Sequence, residues 1–162
     1  MTTATDIHEI KVACFRLGED FYAADIMRIK EIIRLQKLAN LPKSPPFVEG
    51  VLNLRGTVIP VVDLRKRFDI PVAPHGRDTR LLIVAIGRQF LGLVVDEVSE
   101  VISVPVKDIK PPPQVAHGVG AEYLVGVCLA KDSLIMLLNL DRILSDRESD
   151  ELTRLTDSNP VT

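Results

Sequence analysis

The chain has 162 residues, of which 46% are hydrophobic and 26% charged, with a formal net charge of −2 and no tryptophan. This composition is typical of a folded globular protein and counts against the basic, aromatic-rich surface with which proteins usually bind nucleic acids. No segment approaches the roughly eighteen consecutive apolar residues of a membrane span, and no basic leader precedes an apolar stretch. We therefore expect a cytoplasmic protein with neither a signal peptide nor direct membrane insertion.

The first half of the chain predicts two β-hairpins. Strands are predicted at residues 11–17, 21–26, 48–54 and 57–63. A polar leader (1–10) precedes them and is expected to be flexible. The apolar spacing of residues 27–33 fits neither a helix nor a strand, and the proline-rich connector 38–47 cannot enter a sheet. Pro60 lacks an N–H and is expected at a sheet edge or a bulge.

The second half repeats the first. Residues 81–102 align with 12–33 at a constant offset of 69, and residues 123–144 align with 47–68 at an offset of 76. The alignment matches Gly87 to Gly18, Gly126 to Gly50 and Glu100 to Glu31. Two units, about 11–70 and 79–145, are therefore predicted, and their many short strands favour an all-β fold of two small barrels. Whether the barrels exchange strands is left open.

Several charged and sulfur-bearing residues have simple structural interpretations. The basic run Arg65-Lys66-Arg67 and the acidic pair Asp96-Glu97 are predicted to lie in solvated turns, the first of them begun by an Asp63 N-cap. Cys14 and Cys128 lie in apolar strands and are predicted to be core residues. An amphipathic C-terminal helix is predicted over residues 140–155, interrupted near Ser149, and residues 156–162 are expected to be flexible.

The sequence contains no recognisable catalytic or metal site. The histidines His8, His75 and His117 lie far apart in predicted loops, and neither metal-ligand spacing nor a CxxC motif is present. Phosphate-binding and nucleophile motifs are also missing. We therefore predict no catalytic residue, no metal, no cofactor and no enzymatic activity. A hydrolase would need distant polar residues to meet in space.

The stretch FVEGVLNLRGTVIPVVDLRKRF (47–68) resembles the signature of the CheW family of bacterial chemotaxis coupling proteins. FRLGEDFYAADIMRIKEII (15–33), FLGLVVDEVSEVI (90–102) and EYLVGVCLAKDSLIMLLNLDRIL (122–144) are similar to the rest of that family's domain. The resemblance implies a CheW-like domain over residues 11–155. Its fold would be two SH3-like five-stranded β-barrels that share a hydrophobic seam, here followed by the short C-terminal helix.

The resemblance also implies an adaptor function. Such proteins link the cytoplasmic tips of chemoreceptors (methyl-accepting chemotaxis proteins) to the regulatory domain of the histidine kinase CheA, in arrays at the membrane. Other CheW-like domains are further expected partners, and a nucleic acid is not. We expect no response-regulator domain fused to the CheW-like domain, which favours a standalone coupler. Two alternatives are the same adaptor role in a non-flagellar pathway such as pilus-based motility and, in another class, a nucleic-acid-binding tandem barrel.

The family pattern places the receptor and kinase coupling residues on the first repeat. Arg55 and Glu31 carry the coupling role by resemblance and are expected to pair at the barrel surface, where an exposed pair adds little stability. The remaining expected coupling residues are Asn53 and Gly56 of the same motif and, as an apolar floor for a receptor helix, Ile26, Ile29 and Val58. A purely structural role, in which the pair staples the hairpin to the preceding segment, is the alternative. The second repeat has Lys131-Asp132 in place of Arg55-Gly56, so the arginine itself distinguishes the first.

Overall fold

A computed structural model describes residues 8–112, 115–116 and 119–158. Its strands are β1 (Glu9–Leu17), β2 (Asp20–Asp25), β3 (Ile29–Arg34), β4 (Val48–Leu54), β5 (Thr57–Asp63), β6 (Arg80–Ile86), β7 (Gln89–Val95), β8 (Glu97–Pro105), β9 (Val115–Ala116), β10 (Val119–Gly120), β11 (Leu124–Ala130) and β12 (Ser133–Leu138). Its helices are α1 (Leu64–Arg67) and α2 (Asp146–Ser158). Short 3-10 turns separate β2 from β3, β8 from β9, β10 from β11 and β12 from α2. No helix in the described part of the chain is long and apolar enough to cross a membrane.

The strands form two five-stranded sheets and a small hairpin of β9 and β10. One sheet has the order β11-β12-β2-β1-β8 and is called barrel 1 here; the other has the order β3-β6-β7-β5-β4 and is called barrel 2. This confirms the predicted all-β fold with two five-stranded units. Each barrel takes its strands from both repeats, because the chain passes from barrel 1 to barrel 2 after β2 and returns after β7. The sequence repeat is therefore a repeat of hairpins and not of whole barrels.

Each sheet is closed into a barrel by one short backbone bridge next to a glycine. Ala39, beyond the end of β3, exchanges two hydrogen bonds with Val51 of β4, at 2.8 and 2.9 Å. Lys110, beyond the end of β8, exchanges the same two bonds with Val127 of β11, also at 2.8 and 2.9 Å. A Cβ on the preceding residue, Gly50 or Gly126, would lie 2.4 or 2.6 Å from the carbonyl oxygen of the bridging residue. The matched glycines of the two repeats thus mark the closure of each barrel.

Three apolar clusters form the core. The interior of barrel 1 contains Val12, Cys14, Ala23, Val104, Cys128, Ile135 and Leu137. The interior of barrel 2 contains Leu52, Ile59, Val61, Leu81, Ile83 and Val94. The third and largest cluster joins side chains of both barrels, such as Phe15, Tyr22, Phe68 and Leu82, with Leu152 of α2. This third cluster is the predicted shared hydrophobic seam.

A buried charge cluster also holds the two barrels together. Arg65 donates two hydrogen bonds of 3.0 Å to the carboxylate of Asp63 and one of 2.9 Å to Asp96. Asp96, on the crossing from barrel 2 to barrel 1, accepts a 2.7 Å bond from the backbone N–H of Gly18 in barrel 1. The Arg65 and Asp63 side chains are completely buried. Burial opposes the ionisation of Asp63, but the bonds and charge of Arg65 outweigh it and hold the pKa of Asp63 below its ordinary value.

The predicted solvated turns at Arg65-Lys66-Arg67 and at Asp96 are therefore wrong, except at Lys66. Arg67 donates to Glu148 of α2 at 2.7 Å and lies over the Phe47 ring, 4.4 Å from its centroid. A basic triplet suggests a solvated surface when only the sequence is considered. Here each of the two arginines pairs with a carboxylate far away along the chain, Asp96 for Arg65 and Glu148 for Arg67, which offsets the cost of removing their charges from water.

The crossing in the other direction is held by a second, exposed ion pair. Arg28 follows β2 and donates to Asp141 at 2.7 Å and to the carbonyl oxygen of Ala85 at 3.0 Å. The hydrogen bond from Arg28 lowers the pKa of Asp141. Asp141 occupies in the second repeat the position that Arg65 has in the first, at the offset of 76. Each crossing thus carries an ion pair, and the cation and the anion exchange places between the two repeats. The Arg65–Asp96 pair is buried and the Arg28–Asp141 pair is open to solvent.

Two local predictions differ from the structure, and the structure decides a third point that the sequence left open. Strand β1 begins at Glu9, before the predicted end of the flexible leader, whose residues 1–7 lie outside the described part of the chain. Pro60 lies in β5, an interior strand, one residue before the pairing with β7 begins at Val61. Residues 27–33, which the sequence left undecided, complete a 3-10 turn and enter β3.

Helix α2 begins later in the chain than predicted and is continuous through Ser149. Ser145 and Glu148 form a reciprocal capping box, with bonds of 3.1 and 2.8 Å, that starts the helix after the predicted residue 140. The Ser149 hydroxyl accepts a 2.7 Å bond from Gln89 of β7. The polar Ser149 side chain thus docks the helix onto β7, and the helix is not interrupted at this residue. The helix also continues through residue 158, although fraying was predicted from residue 156.

The two thiols are expected to be unreactive while the protein is folded. Both are buried, and burial raises the pKa of Cys14 to about 11 and also raises the pKa of Cys128. At pH 8 the rate of iodoacetamide labelling should be roughly a hundredfold or more below that of the urea-unfolded chain, because only the thiolate reacts. Equal rates in the folded and unfolded chains would show that these strands open readily.

Candidate partner-binding site

The β4–β5 hairpin presents Arg55 at its tip through an unusual backbone conformation. Arg55 and Gly56 both have positive φ, 50° and 89°, as a tight two-residue hairpin turn requires. The Asn53 side chain accepts a 3.0 Å bond from the Gly56 N–H and so supports the turn. A left-handed conformation disfavours any residue with a Cβ by roughly 1 kcal/mol or more. An arginine at this position is therefore better explained by what its side chain contacts than by backbone preference.

Arg55 and Glu31 form an ion pair between the β4–β5 turn and β3. One terminal nitrogen of the guanidinium contacts one carboxylate oxygen of Glu31. The Arg55 side chain is 70% exposed and that of Glu31 27% exposed, so the pair is largely screened by water. The Nε and the other terminal nitrogen of Arg55 have no hydrogen-bond partner among the described residues. Most donors of the guanidinium thus face solvent.

The other residues of the predicted site differ in exposure. Asn53 and Gly56 are exposed beside Arg55. Val58, opposite Asn53 in the hairpin, and Ile29 are half-buried and pack against the shared core. Ile26 is half-buried in the 3-10 turn before β3. The structure thus groups three of the predicted residues with Glu31 at one end of barrel 2, and the three apolar ones are half-buried.

Sequence reasoning missed a depression beneath the Arg55–Glu31 pair, which is called the mouth of barrel 2 here. Its floor consists of Leu54, Ile59, Ile83 and Phe90, and its rim carries Lys30, Glu31, Arg55 and Thr57. The floor is continuous with the interior cluster of barrel 2. Ile83 and Phe90 belong to the second repeat, and only the exchange of strands brings them beside the motif of the first. Met27, which is 86% exposed at the crossing into barrel 2, was also missed.

The second repeat carries a copy of the ion pair. Lys131, at the position equivalent to Arg55, contacts both carboxylate oxygens of Glu100 at 2.8 Å. Lys131 and Asp132 have positive φ values of 51° and 63°, so this turn repeats the backbone conformation of the first. The expectation that an arginine alone distinguishes the first repeat therefore needs correction. The ion pair itself is duplicated, and the two copies differ in their cation. In the first repeat it is a guanidinium with free donors. In the second it is an ammonium group that contacts both oxygens of one carboxylate.

No cluster of histidine, cysteine, aspartate and glutamate side chains suited to a metal ion occurs in residues 8–112 and the other described segments. The mouth of barrel 2 combines an apolar floor with exposed cationic groups. That combination suits the binding of another macromolecule.

Comparison with known proteins identifies the family. The profile of the CheW-like domain matches residues 11–148. The chemotaxis protein CheW of Treponema pallidum (strain Nichols) is 35% identical over 156 residues, which cover 94% of this chain and 92% of that protein. Protein FrzA of Myxococcus xanthus is 36% identical over 133 residues, which cover 81% of this chain and 82% of that protein.

A solved structure supports the same family assignment. The crystal structure of the scaffolding protein TtCheW from Thermoanaerobacter tengcongensis superposes with a TM-score of 0.82 and 33% sequence identity. The match covers 91% of this chain and 96% of that one. The chain described here therefore belongs to the CheW family, whose members are scaffold or adaptor proteins and not enzymes.

Proposed function

We propose that this chemotaxis scaffold couples chemoreceptors to the histidine kinase CheA, and that the Arg55–Glu31 end of barrel 2 takes part in that coupling. The observation that carries the proposal is the exposed ion pair on a left-handed turn. Such a pair contributes about 0 to 1 kcal/mol to stability, so its residues are poorly explained by folding alone. An exposed guanidinium with free donors is a common means of recognising a partner's carboxylates and carbonyls.

The proposed partners are the regulatory domain of CheA, the cytoplasmic tip of a chemoreceptor and other CheW-like domains. The protein would work in the cytoplasm, recruited to receptor arrays at the membrane. Two features of barrel 2 support a docking role: an apolar depression with a polar rim, and the nearly fully exposed side chain of Met27. Half-buried Ile26, Ile29 and Val58 would contribute the exposed part of their side chains to the docking surface.

The same adaptor role in a non-flagellar pathway is the second candidate. The relative from Myxococcus xanthus has a name other than chemotaxis protein CheW, although it is as similar to this chain as the relatives with that name. The two candidates share all the residues discussed here and differ in the receptors and kinase bound. Deleting the gene and comparing swimming with surface motility would separate them.

Reversing the charge of Arg55 is expected to impair coupling without unfolding the protein. In Arg55→Glu two carboxylates would face each other where a partner now meets a cation. The dissociation constant for the receptor fragment or the kinase regulatory domain should rise about tenfold or more, the effect of losing roughly 1.4 kcal/mol. Isothermal titration with each purified partner gives this measurement.

The matched control is Lys131→Glu, the equivalent change in barrel 1. Both variants should keep a melting temperature within a few degrees of the wild type, since both ion pairs are largely exposed. Unfolding of Arg55→Glu would instead support the purely structural role, in which the pair staples the hairpin to β3. Unchanged binding of both partners would remove Arg55 from the coupling surface.

A further inference from the structure

The mouth of barrel 2 offers space for one apolar side chain. Its floor residues Leu54 and Phe90 are half-buried, while Ile59 and Ile83 beneath them are buried in the barrel interior. The Arg55–Glu31 pair spans the rim above this floor. An apolar group that enters there would leave water for a site continuous with the barrel core, which is favourable at about 25 cal/mol per Å² of buried area.

The rim of this mouth is cationic. Lys30 and Arg55 line it directly, and Glu31 is the one carboxylate among its described lining residues. Arg88 lies at the same end, because β5 and β7 are parallel with Val61 opposite Gly92, which places the turn before β7 level with the start of β5. Lys30 and Arg88 are exposed, and neither forms an ion pair with any residue that the structure describes. Lys30 and Arg55 thus line the mouth beside one carboxylate, whereas Arg88 lines another depression together with Asp141, Asp146 and Asp150.

The equivalent end of barrel 1 has the opposite charge. The repeat alignment places Ser99 where barrel 2 has Lys30, and Glu19 where it has Arg88. Asp132 stands in place of Gly56, and the ammonium group of Lys131 contacts both carboxylate oxygens of Glu100. The equivalent positions of barrel 1 thus carry one ammonium group and three carboxylates, those of Glu19, Glu100 and Asp132. The two ends share a backbone and differ in the charge that a partner would meet.

From this charge contrast we infer that the mouth of barrel 2 binds an acidic segment of a partner protein. One apolar side chain of the segment enters the floor, and neighbouring carboxylates bond to the free donors of Arg55 and to Lys30. The acidic end of barrel 1 repels the same segment, so a partner can distinguish the two ends of the pseudo-symmetric molecule by their charge. This inference rests on the proposed function, because it specifies the chemistry of a partner at the same hairpin.

The test uses the full chain, labelled with ¹⁵N, and a blocked oligoglutamate peptide with one central leucine as the probe. Titration should shift the amide signals of Lys30, Arg55 and Phe90 and leave those of Ser99 and Lys131 unchanged. Replacing the central leucine of the peptide by serine should weaken binding, and an oligolysine peptide with the same leucine should not bind at this mouth. Raising the salt concentration should also weaken binding, because the contacting charges are exposed.

Matched variants locate the contact. Arg55→Gln should raise the dissociation constant of the acidic peptide about tenfold, the usual effect of losing a charged hydrogen bond, and Lys131→Gln should leave it unchanged. Both side chains are exposed and lie in turns, and an unchanged melting temperature verifies that each variant is folded.

Three results would overturn the inference: equal shifts at both barrel ends, no shift at barrel 2, or binding that is unaffected by Arg55→Gln. Its failure is distinguishable from failure of the proposed function. A chain that still binds the receptor fragment and the kinase regulatory domain, but not the acidic peptide, would couple through other chemistry. A chain that binds the peptide as described and neither protein would refute the proposed function alone.

Discussion

Arg65→Met should lower the free energy of unfolding by about 3–5 kcal/mol, the largest loss we expect from a single substitution in this protein. The methionine fills much of the space but leaves the carboxylates of Asp63 and Asp96 without their cation in a site closed to water. It also removes the donor to the Ala73 carbonyl oxygen. Urea unfolding at pH 7, followed by circular dichroism, gives the measurement. Lys66→Met, an exposed neighbour, is the control and should change stability by less than about 1 kcal/mol.

The pH dependence of that loss tests its cause. In the wild type the pKa of Asp63 is held below its ordinary value, so its contribution to stability is present at neutral pH and is lost as the pH falls through the folded pKa. In Arg65→Met, burial without a cation should raise the pKa of Asp63, and protonation then relieves the unpaired charge. The stability gap between the two proteins should therefore narrow as the pH falls from 7 towards the ordinary carboxyl range, near pH 4. A gap that is constant with pH would mean that lost packing, and not the unpaired charges, explains the effect.

Gly50→Ala is expected to destabilise the protein by about 3 kcal/mol or more. The new Cβ would lie 2.4 Å from the Ala39 carbonyl oxygen, inside the bridge that closes barrel 2, at a φ of 151° that side chains rarely adopt. Overpacking and backbone strain each cost roughly 1–3 kcal/mol. Gly126→Ala should cost less, about 1–3 kcal/mol, because its Cβ meets Lys110 at 2.6 Å without a positive φ.

Thermal and urea unfolding of the two variants measure this difference. Gly76→Ala is the control, since a Cβ there meets nothing within 4 Å, and it should be neutral or slightly stabilising. Equal and small losses at Gly50 and Gly126 would show that the barrels tolerate opening at the closing bridges. Loss of the Ala39–Val51 amide protection from hydrogen exchange in Gly50→Ala would place the damage at the bridge itself.

The repeat in the sequence predicted most of the architecture. The matched glycines and strand lengths indicated two small barrels, and the structure gives those glycines a physical role at the closing bridges. The repeat could not indicate which hairpin enters which barrel, because both repeats offer equivalent hairpins. Sheet membership depends on pairings such as β1 with β8, between residues more than 80 positions apart.

The structure brings together the charged pair of the predicted site, whereas the sequence did not indicate the apolar depression beneath it. Arg55 and Glu31 stand in a distinctive motif and its preceding segment, and the structure brings them into contact. Phe90 belongs to an ordinary strand pattern, and nothing local marks it as a neighbour of Arg55. The burial of Arg65 was missed for a similar reason, because its partner Asp96 is 31 residues away and a basic triplet is usually solvated.

Co-sedimentation tests the central claim, receptor–kinase coupling, most directly. Vesicles carrying a chemoreceptor cytoplasmic fragment are mixed with CheA, with and without this protein, and then pelleted. We predict that CheA enters the pellet only when the protein is present, that Arg55→Glu leaves CheA in the supernatant, and that Lys131→Glu behaves as the wild type. The claim would be contradicted if the protein pelleted with the receptor while CheA stayed in solution, or if CheA pelleted equally without it.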